Sequence, residues 1–277
     1  MEHFHIITNQ TKDPEFQVTN QIKDYLEAHG KMCTVCAERH IDKNSVQQGA
    51  DCVLVLGGDG TLLQAAVDLA DMNVPFLGIN LGTLGFLTEV NKDDIEEALG
   101  NILLGEYEIE KRMMLVGYSY DEAGEKDNTR ALNDIVITRK GSLQIIKFNI
   151  SVNGQFLHKY HADGMIVATP TGSTGYNLSA GGPVVDPKAE LIVMSPICPH
   201  SMQHRSIILS PEDEITIEIE TGHDGVEQEV EAIFDGSHRV TLYTGDRIVI
   251  RRSDKTTGIV KLNKASFLEI LHQKMSD

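Results

Sequence analysis

Residues 52–70, CVLVLGGDGTLLQAAVDLA, run from an apolar strand through a glycine-rich turn into a helical pattern. Glycines at such a junction let the backbone approach a phosphate closely, and the N–H groups of the turn can face an oxyanion. Between the glycines lies Asp59, whose carboxylate repels a phosphate unless a metal ion, a proton transfer or a neighbouring cation changes the balance. The stretch predicts a phosphate site that contains an acid.

The first hundred residues alternate strand-like runs with helical runs. A helical run from Thr61 follows the strand CVLVL, and the helix in PEFQVTNQIKDYLEAHG ends at a capping glycine. This order predicts a parallel sheet covered by helices. The remaining runs are HFHIIT, KMCTVCAE, PFLGIN and KDDIEEALGNILLG.

From about Met113 the pattern changes to period two with turn signals, which predicts antiparallel strands. Asn153-Gly154 between two alternating segments indicates a β-hairpin. After the run DRIVIRR, a final strand GIVKLN and an amphipathic segment SFLEILHQKM close the sequence. We expect a Rossmann-like parallel α/β domain, then a mostly antiparallel, β-sandwich-like domain, then a C-terminal tail that packs back on the first domain. The three parts are residues 1–112, 113–253 and 254–277.

The composition restricts the possible partners. There are 41 acidic against 24 basic side chains, a formal net charge of -17, which disfavours nonspecific binding to nucleic acid or to anionic membranes. No apolar run approaches the ~20 residues of a membrane span, and residues 1–13 carry an acidic residue where a signal peptide has cations. We expect a cytoplasmic protein that binds neither nucleic acid nor membrane.

The cysteines and two histidines have spacings that can bind metal, but their context disfavours it. The motif CTVC lies in a predicted strand, where side chains three apart point to opposite faces. His200 and His204 are four apart, yet the prolines in the preceding SPICPH disfavour a helix there, so a loop or cap role is expected. The four cysteines are too few and too scattered for a secreted disulfide framework. They are Cys33, Cys36, Cys52 and Cys198.

The turn GGDGT differs from two common phosphate motifs. A Walker loop needs a lysine before its Ser/Thr, and none is present. A dinucleotide fingerprint aligned on Gly58 and Gly60 needs glycine or alanine where the bulkier Leu63 stands. From the loop alone two interpretations remain open: Asp59 activates an attacking hydroxyl, or Asp59 or Thr61 only caps the helix.

Longer motifs identify a family. GGDGT resembles the motif shared by NAD kinases, diacylglycerol and sphingosine kinases and, with serine for threonine, phosphofructokinases. The block DGMIVATPTGSTGYNLSAGGPVV, residues 163–185, resembles specifically the long signature of NAD kinases, and LGTLGFL and SPICPHSMQHR resemble further segments of that family. Together these matches cover the chain nearly end to end. The resemblance implies an enzyme that transfers the γ-phosphoryl of ATP to the 2′-hydroxyl of the NAD adenosine ribose, giving NADP and ADP.

The resemblance implies roles for the loop. Asp59 would be the catalytic base, and Gly57, Gly58, Gly60 and Thr61 would position the phosphates of ATP. Mg²⁺ would accompany the nucleotide and offset the acidic surroundings, with no separate metal site on the protein.

On chemistry alone, the hydroxyls of TPTGSTGY are neutral donors suited to a diphosphate.

The same resemblance implies an NAD site. Asn133-Asp134 would anchor the adenosine half, although the family usually has Asn-Glu, so the reach of the shorter Asp134 stays open. Asp163 would lie near the nicotinamide riboside. Phe86 borders the adenine by analogy and is otherwise a core residue. Tyr176 lies against a base or fills a space between sheets. The full set implied to bind NAD is Gly60, Phe86, Asn133, Asp134, His161, Asp163, Thr171, Thr174, Gly175, Tyr176 and Ser179.

Two alternative functions, the choice of substrates and the oligomeric state are considered next to the kinase activity. A non-catalytic NAD(P)-binding sensor would keep the fold, but the intact GGDGT argues against it. A lipid kinase is more distant, because the sequence shows no evident basic amphipathic segment. The residues do not distinguish ATP from polyphosphate or other triphosphates as donor, or NAD from NADH as acceptor. By family analogy we expect a homodimer or homotetramer with the site shared between subunits.

Overall fold

The structure is a computed structural model that describes residues 1–37, 46, 49–82, 85–141, 145–200, 205–262 and 266–276. The chain forms two compact units, Met1–Arg112 with Lys255–Asp277 and Met113–Asp254. The strands are β1 (His3–Thr8), β2 (Met32–Cys36), β3 (Cys52–Gly57), β4 (Phe76–Asn80), β5 (Val90–Asn91), β6 (Glu108–Asp121), β7 (Gly124–Ala131), β8 (Asp134–Arg139), β9 (Ile146–Val152), β10 (Gln155–Ala162), β11 (Gly164–Ala168), β12 (Ile192–Ile197), β13 (Ile207–Leu209), β14 (Ile215–Ile219), β15 (Glu229–Phe234), β16 (His238–Tyr243) and β17 (Arg247–Lys261). The helices are α1 (Gln17–Ala28), α2 (Asp59–Asp68), α3 (Ile95–Leu104), α4 (Tyr176–Ser179) and α5 (Phe267–Ser276).

The first unit is built on a parallel sheet. Its strands lie in the order β2-β1-β3-β4, with β5 and the last part of β17 both paired to β4. Alternate strand residues such as Phe4, Leu54 and Leu77 pack with α1 and α3 on one face. Helix α2, which follows the glycine-rich turn, packs through Leu62 against Gly78 of β4. The predicted Rossmann-like parallel domain is confirmed.

The second unit is a sandwich of antiparallel strands. One sheet has the order β13-β12-β11-β8-β15-β16, and the other side is formed by β10-β9-β14-β17. Inward-facing residues of both layers, including Ile137, Phe148 and Ile217, form one apolar core. The strands β9 and β10 are joined by Asn153 and Gly154 at φ 52° and 74°, as the predicted hairpin requires. The β-sandwich-like expectation is confirmed.

Several elements differ from the sequence expectation. Helix α2 begins at Asp59 instead of Thr61. The runs DRIVIRR and GIVKLN, taken as separate strands, fall largely in one strand of 15 residues, β17, while Asn263 at the end of the second run lies outside the described residues. Strand β7, GEKDNTRA, lacks an apolar alternation because it is largely exposed, and it exists through its pairing with β6. Such a strand forms because it pairs with a neighbouring strand, so the period of its apolar residues does not predict it.

The cysteine and histidine motifs can be placed in part. CTVC lies in strand β2 as predicted, with Cys36 buried, and the four cysteines are free thiols. His200 lies at a bend, whereas His204 lies outside the described residues. Within the described ranges no group of His, Cys, Asp and Glu is arranged to hold a metal ion. Likewise, no helix in the described part of the chain has the length and apolar character needed to cross a membrane.

Candidate active site

The turn between β3 and α2 presents unpaired backbone donors. Gly58 is extended and precedes the first turn of α2, and its carbonyl accepts the Thr61 N–H at 3.0 Å. The N–H groups of Gly58, Asp59 and Gly60 have no acceptor among the described residues. Since the N-terminus of a helix carries partial positive charge, these donors can bind an anion.

The Asp59 carboxylate is held by the chain that follows β4. Its Oδ2 accepts the Phe86 N–H at 2.8 Å, and its Oδ1 accepts the Leu87 N–H at 3.2 Å. A β-carbon on Gly85 would overlap this carboxylate, so only glycine fits there. Each oxygen of a carboxylate accepts about two hydrogen bonds, so each keeps capacity for a ligand. The arrangement orients the Asp59 carboxylate and leaves each of its oxygens able to accept a further hydrogen bond.

The helix-cap interpretation of Asp59 and Thr61 is wrong. The cap of α2 is Gly58, and no side chain caps this end. The Thr61 hydroxyl instead accepts a hydrogen bond from Asn9 Nδ2 at 3.1 Å and lies under Gly57, where a β-carbon would overlap it. Thr61 therefore fixes the turn to the segment after β1.

That segment brings a lysine to the glycine turn. The Asn9 N–H donates to the Leu56 carbonyl at 2.9 Å, and the Lys12 N–H donates back to the Asn9 carbonyl at 2.9 Å. Lys12 Nζ lies 3.1 Å from the position of a β-carbon on Gly58 and 3.4 Å from that on Gly82. Sequence reasoning missed Lys12, because nothing in NQTKD places it beside a turn about fifty residues later.

The adjacent Asp13 anchors the other end of this segment. Its carboxylate accepts the N–H of Val18 at 3.3 Å and both the N–H and the hydroxyl of Thr19, at 2.9 and 2.7 Å. The Thr19 hydroxyl also contacts the Thr8 hydroxyl at 2.7 Å. Burial alone would raise the pKa of Asp13, but the bonds from Thr19 and Val18 outweigh it and lower the pKa. The segment is therefore tied to β1 and to α1.

Phe86 donates its N–H to Asp59 and places its ring under the C-terminal helix. The ring centroids of Phe86 and Phe267 are 6.3 Å apart, and Lys274 Nζ lies 5.6 Å from the Phe86 centroid. Phe86 is half-buried. The residue thus packs within its unit and keeps an exposed part beside the acid, and its contact with adenine stays a prediction.

In the second unit, Asp235 organises the Asn133-Asp134 turn. Its carboxylate accepts the N–H groups of Leu132 at 2.7 Å, Asn133 at 2.8 Å and Asp134 at 3.0 Å. Asp235 has φ 45°, at the turn that follows β15. Sequence reasoning missed this residue, whose only local signal is the turn dipeptide Asp235-Gly236.

The long signature packs directly on the same turn. Thr169 donates its hydroxyl to the Leu132 carbonyl at 2.6 Å and its N–H to the Asn133 carbonyl at 2.8 Å. A β-carbon on Gly172 would overlap that Asn133 carbonyl. A β-carbon on Gly175 would lie 3.4 Å from Asn133 Nδ2, which a small shift accommodates. The residues 132–134 and 169–175 therefore form one cluster.

Two groups of this cluster are poised for a ligand. The Asn133 Oδ1 is buried and has no hydrogen-bond partner in the described structure. Asp134 is 6% exposed, and burial, followed by the nearby negative charge of Asp235, raises its pKa to about 7. Burial also raises the pKa of Asp235, to about 6, although its three N–H donors oppose the change. Both carboxyls therefore have a pKa closer to neutral pH than an ordinary aspartate.

The hydroxyls of the signature separate into two kinds. Ser173 is fully buried, and its hydroxyl donates to the Val185 carbonyl and accepts the Val185 N–H. Among the described residues, the Thr174 hydroxyl makes only a long bond of 3.4 Å to the Thr171 carbonyl, and Thr174 is half-buried, so its hydroxyl can turn to a ligand. Thr171 is buried, while Tyr176 and Ser179 on α4 are exposed.

Asp163 and His161 lie at the far end of strand β11 from this cluster. Five residues of strand separate Asp163 from Thr169, a distance on the order of 20 Å. The Asp163 carboxylate pairs with Arg139 at 3.6 Å. His161 is exposed on β10, and its pKa is lowered by partial burial and by the charges of Lys147 and Lys159. These two residues do not join the Asn133-Asp134 cluster within one chain.

Comparison with family models decides the family. Residues 37–107 match the ATP-NAD kinase N-terminal domain, and residues 132–262 match the ATP-NAD kinase C-terminal domain. The NAD kinase of Agathobacter rectalis is 45% identical over 100% of this chain and 99% of its own length. The chain belongs to the NAD kinase family. The NAD kinase of Lachnospira eligens is similarly close, 44% identical over 99% of this chain and 100% of its own.

Solved structures show the same fold. The NAD kinase from Archaeoglobus fulgidus in complex with ATP is 25% identical with a TM-score of 0.78, covering 99% of this chain and 98% of that one. Yeast NADH kinase complexed with NADH is 23% identical with a TM-score of 0.84, covering 100% of this chain and 88% of that one. The family assignment from the two sequence motifs is therefore confirmed, and so is the predicted fold class.

For an NAD kinase, the structure places the expected residues in three locations. Gly57, Gly58, Asp59, Gly60, Thr61 and Phe86 lie together at the first turn of α2. A second group, which surrounds the Asn133-Asp134 turn, contains Thr171, Thr174 and Gly175. The third set differs in two ways: Asp163 and His161 lie a strand length from that group, whereas Tyr176 and Ser179 lie exposed on α4, which directly follows Gly175. Lys12 and Asp235 are added by the structure.

Proposed function

We propose that this NAD kinase transfers the γ-phosphoryl of ATP to the 2′-hydroxyl of the NAD adenosine ribose with Asp59 as the base. The observation that carries the proposal is the oriented Asp59 carboxylate beside the unpaired N–H groups of the GGDGT turn. A base needs a carboxylate held in a fixed orientation, and the bonds from Phe86 and Leu87 supply such an orientation. An acid and an anion site at one turn suit phosphoryl transfer.

The proposed step is a direct displacement. As the 2′-oxygen forms a bond to the γ-phosphorus, Asp59 takes the hydroxyl proton, and the bond to the bridging oxygen of ADP breaks with its electron pair. The N–H groups of Gly58 and Gly60 bind the phosphate oxygens and stabilise the charge that develops on them. The products are NADP and ADP, and the proton stays on Asp59 until solvent removes it.

The residues at the turn fit a magnesium ion that arrives with ATP. No cluster able to hold a metal by itself occurs among the described residues. A Mg²⁺ ion borne by the nucleotide would be coordinated mainly by phosphate oxygens and water, so it does not need Asp59 as a ligand and leaves that carboxylate to act as the base. When bound, it would neutralise part of the phosphate charge.

We propose that the second unit binds NAD. The unpartnered Asn133 Oδ1 can accept the amino group of adenine, and ionised Asp134 can accept ribose hydroxyls. Thr174 offers a neutral donor for the diphosphate or the adenosine. The family resemblance alone supports the remaining proposed NAD contacts, which come from His161, Asp163, Tyr176 and Ser179. In this proposal, residues 1–112 supply the phosphate turn, 113–253 bind NAD, and 254–277 complete the first domain.

The proposal includes a cytoplasmic homodimer or homotetramer. Asp163 lies about one strand length from the Asn133-Asp134 turn, on the order of 20 Å, so a neighbouring subunit's Asp163 or Tyr176 can complete the site. Sedimentation at assay concentration should show an oligomer. A fully active monomer would remove the shared site and leave the chemistry of Asp59 untouched.

Asp59→Asn tests the base. Asparagine cannot take the hydroxyl proton, so kcat should fall on the order of 10² to 10⁴-fold. It also accepts only one of the N–H bonds from Phe86 and Leu87, so stability should fall by about 1 to 3 kcal/mol. The matched control is Asp68→Asn at the end of the same helix, where Asp68 accepts from Gln64 at 2.8 Å and kcat should stay near normal.

The assay supplies NAD, Mg²⁺ and each donor in turn, and it measures NADP with a dehydrogenase specific for it. A folded Asp59→Asn protein that retains near-normal turnover refutes the base assignment. If it instead loses Mg²⁺-dependent ATP binding, Asp59 is a metal ligand. No NADP from the unaltered protein with ATP, other triphosphates or polyphosphate would favour an NAD-binding sensor over a kinase.

A further inference from the structure

Lys12 is an unassigned cation at the phosphate turn. We propose that its ammonium binds the phosphate chain of the donor where that chain meets Gly58. Lys12 Nζ lies 3.1 Å from the β-carbon position of Gly58 and 3.4 Å from that of Gly82, so it covers both glycines. The inference rests on the proposed function, because it assigns a donor contact to that same turn.

The position of Lys12 is built into the fold. Its N–H donates to the Asn9 carbonyl, and the Asn9 amide donates to the Thr61 hydroxyl of the GGDGT turn. Asn9 Oδ1 also accepts the N–H and hydroxyl of Thr11, which closes the turn before Lys12. On the other side, Asp13 is anchored to α1. The lysine backbone is therefore held against the phosphate turn on both sides.

The Lys12 ammonium has no competing partner in the described part of the chain. It forms no ion pair there, and Asp59 is not within 4.0 Å of it, although the protein carries a formal net charge of -17. Lys23, by contrast, pairs with Glu27 at 3.8 Å. An unpaired lysine over two glycines, beside N–H groups without acceptors, is arranged for an anion.

The positive charge of Lys12 offsets the repulsion between the Asp59 carboxylate and a bound phosphate. A carboxylate next to a phosphate site repels the donor, and an ammonium at the same turn offsets that repulsion without occupying the base. Lysine acts as a point charge with three donors, so it suits several phosphate oxygens in turn. The shared chemistry of its ligand is a polyphosphate chain, whether it belongs to a nucleotide or to inorganic polyphosphate.

The test compares Lys12→Met, which keeps the apolar stem, with Lys12→Arg, which keeps the charge. Lys23→Met is the control, because this partly exposed side chain of helix α1 lies away from the turn and its loss changes the net charge equally. Calorimetry measures binding of a non-hydrolysable Mg²⁺-ATP analogue, of inorganic polyphosphate, of adenosine and of NAD. The same proteins are assayed for KM and kcat with each donor.

Lys12→Met should weaken the ATP analogue about 10- to 100-fold and raise the KM for ATP to match, as expected for losing a hydrogen bond to a charged group. Adenosine and NAD should bind within about twofold of normal, since neither needs this charge-assisted contact. Lys12→Arg should restore most of the affinity, and Lys23→Met should change nothing. A parallel loss for polyphosphate would extend the contact to that donor, whereas no loss would confine it to nucleotides.

Unchanged affinity of Lys12→Met for the ATP analogue refutes the proposal, as does an equal loss for adenosine, which would indicate a structural role. The binding measurements decide this even if the unaltered protein forms no NADP. Failure of the proposed kinase activity is seen in the unaltered protein, whereas failure of the Lys12 contact is seen only in the comparison with Lys12→Met.

Discussion

Binding of NAD should strengthen as pH rises from 6 to 8, because Asp134 titrates in that range. Burial and the charge of Asp235 raise the pKa of Asp134 to about 7. A carboxyl with this pKa is about one tenth ionised at pH 6 and about nine tenths ionised at pH 8. If only ionised Asp134 accepts the ribose hydroxyls, the NAD association constant should rise about tenfold across the window.

The perturbation is Asp134→Asn, which removes the titration. Calorimetry of NAD binding at steps between pH 6 and 8 should give a nearly flat profile above pH 7 for this protein, because only Asp235 of the pair, with a pKa of about 6, still titrates near the lower end of the window. The control is Asp121→Asn at the end of β6, where the Asp121 carboxylate accepts the N–H of Ala123, and this protein should keep the normal slope. Partial burial and the charges of Lys147 and Lys159 lower the pKa of His161, which shifts its titration toward the acidic end of the window and away from the change expected for Asp134.

The same pKa predicts a stability difference with a definite sign. A carboxyl whose pKa is raised by folding stabilises the folded state fully below its unfolded pKa, near 4, and loses that contribution as pH rises through about 7. At pH 8, Asp134→Asn should therefore raise the free energy of urea unfolding on the order of 1 to 3 kcal/mol relative to its effect at pH 5. A flat NAD profile in the unaltered protein, or an unchanged slope in Asp134→Asn, contradicts the reasoning.

Further predictions concern the signature loop. Thr174→Val should weaken NAD binding by about 0.5 to 1.5 kcal/mol, because its hydroxyl makes only a 3.4 Å internal bond and is available to the ligand; unchanged calorimetry in a folded protein would make Thr174 structural. Gly172→Ala should lower both the melting temperature and NAD affinity, since its β-carbon would overlap the Asn133 carbonyl. Gly175→Ala is its matched control and should be mild, with the nearest atom at 3.3 Å, so equal effects of the two changes would refute the steric argument.

The sequence by itself determined the features that depend on neighbours along the chain. The alternation of strands and helices predicted the parallel sheet, period-two runs predicted the antiparallel sandwich, and Asn153-Gly154 predicted a hairpin that the structure contains. Each follows from a local rule, because side-chain period and turn dihedrals are properties of a few adjacent residues. The long motif identified the family in the same way. The NAD contacts that it implies stay predictions.

Only the tertiary structure decided what surrounds the reacting groups. Asp59 receives its two N–H bonds from residues 27 and 28 positions later, and Asp235 reaches Leu132 across 103 positions. Lys12 stands over Gly58 because β1 and β3 are neighbours in the sheet. The pKa of Asp134 depends on burial and on the Asp235 charge, which a linear pattern does not contain. These contacts arise from strand order and packing, so residues distant in sequence set the charge, the orientation and the protonation of the site.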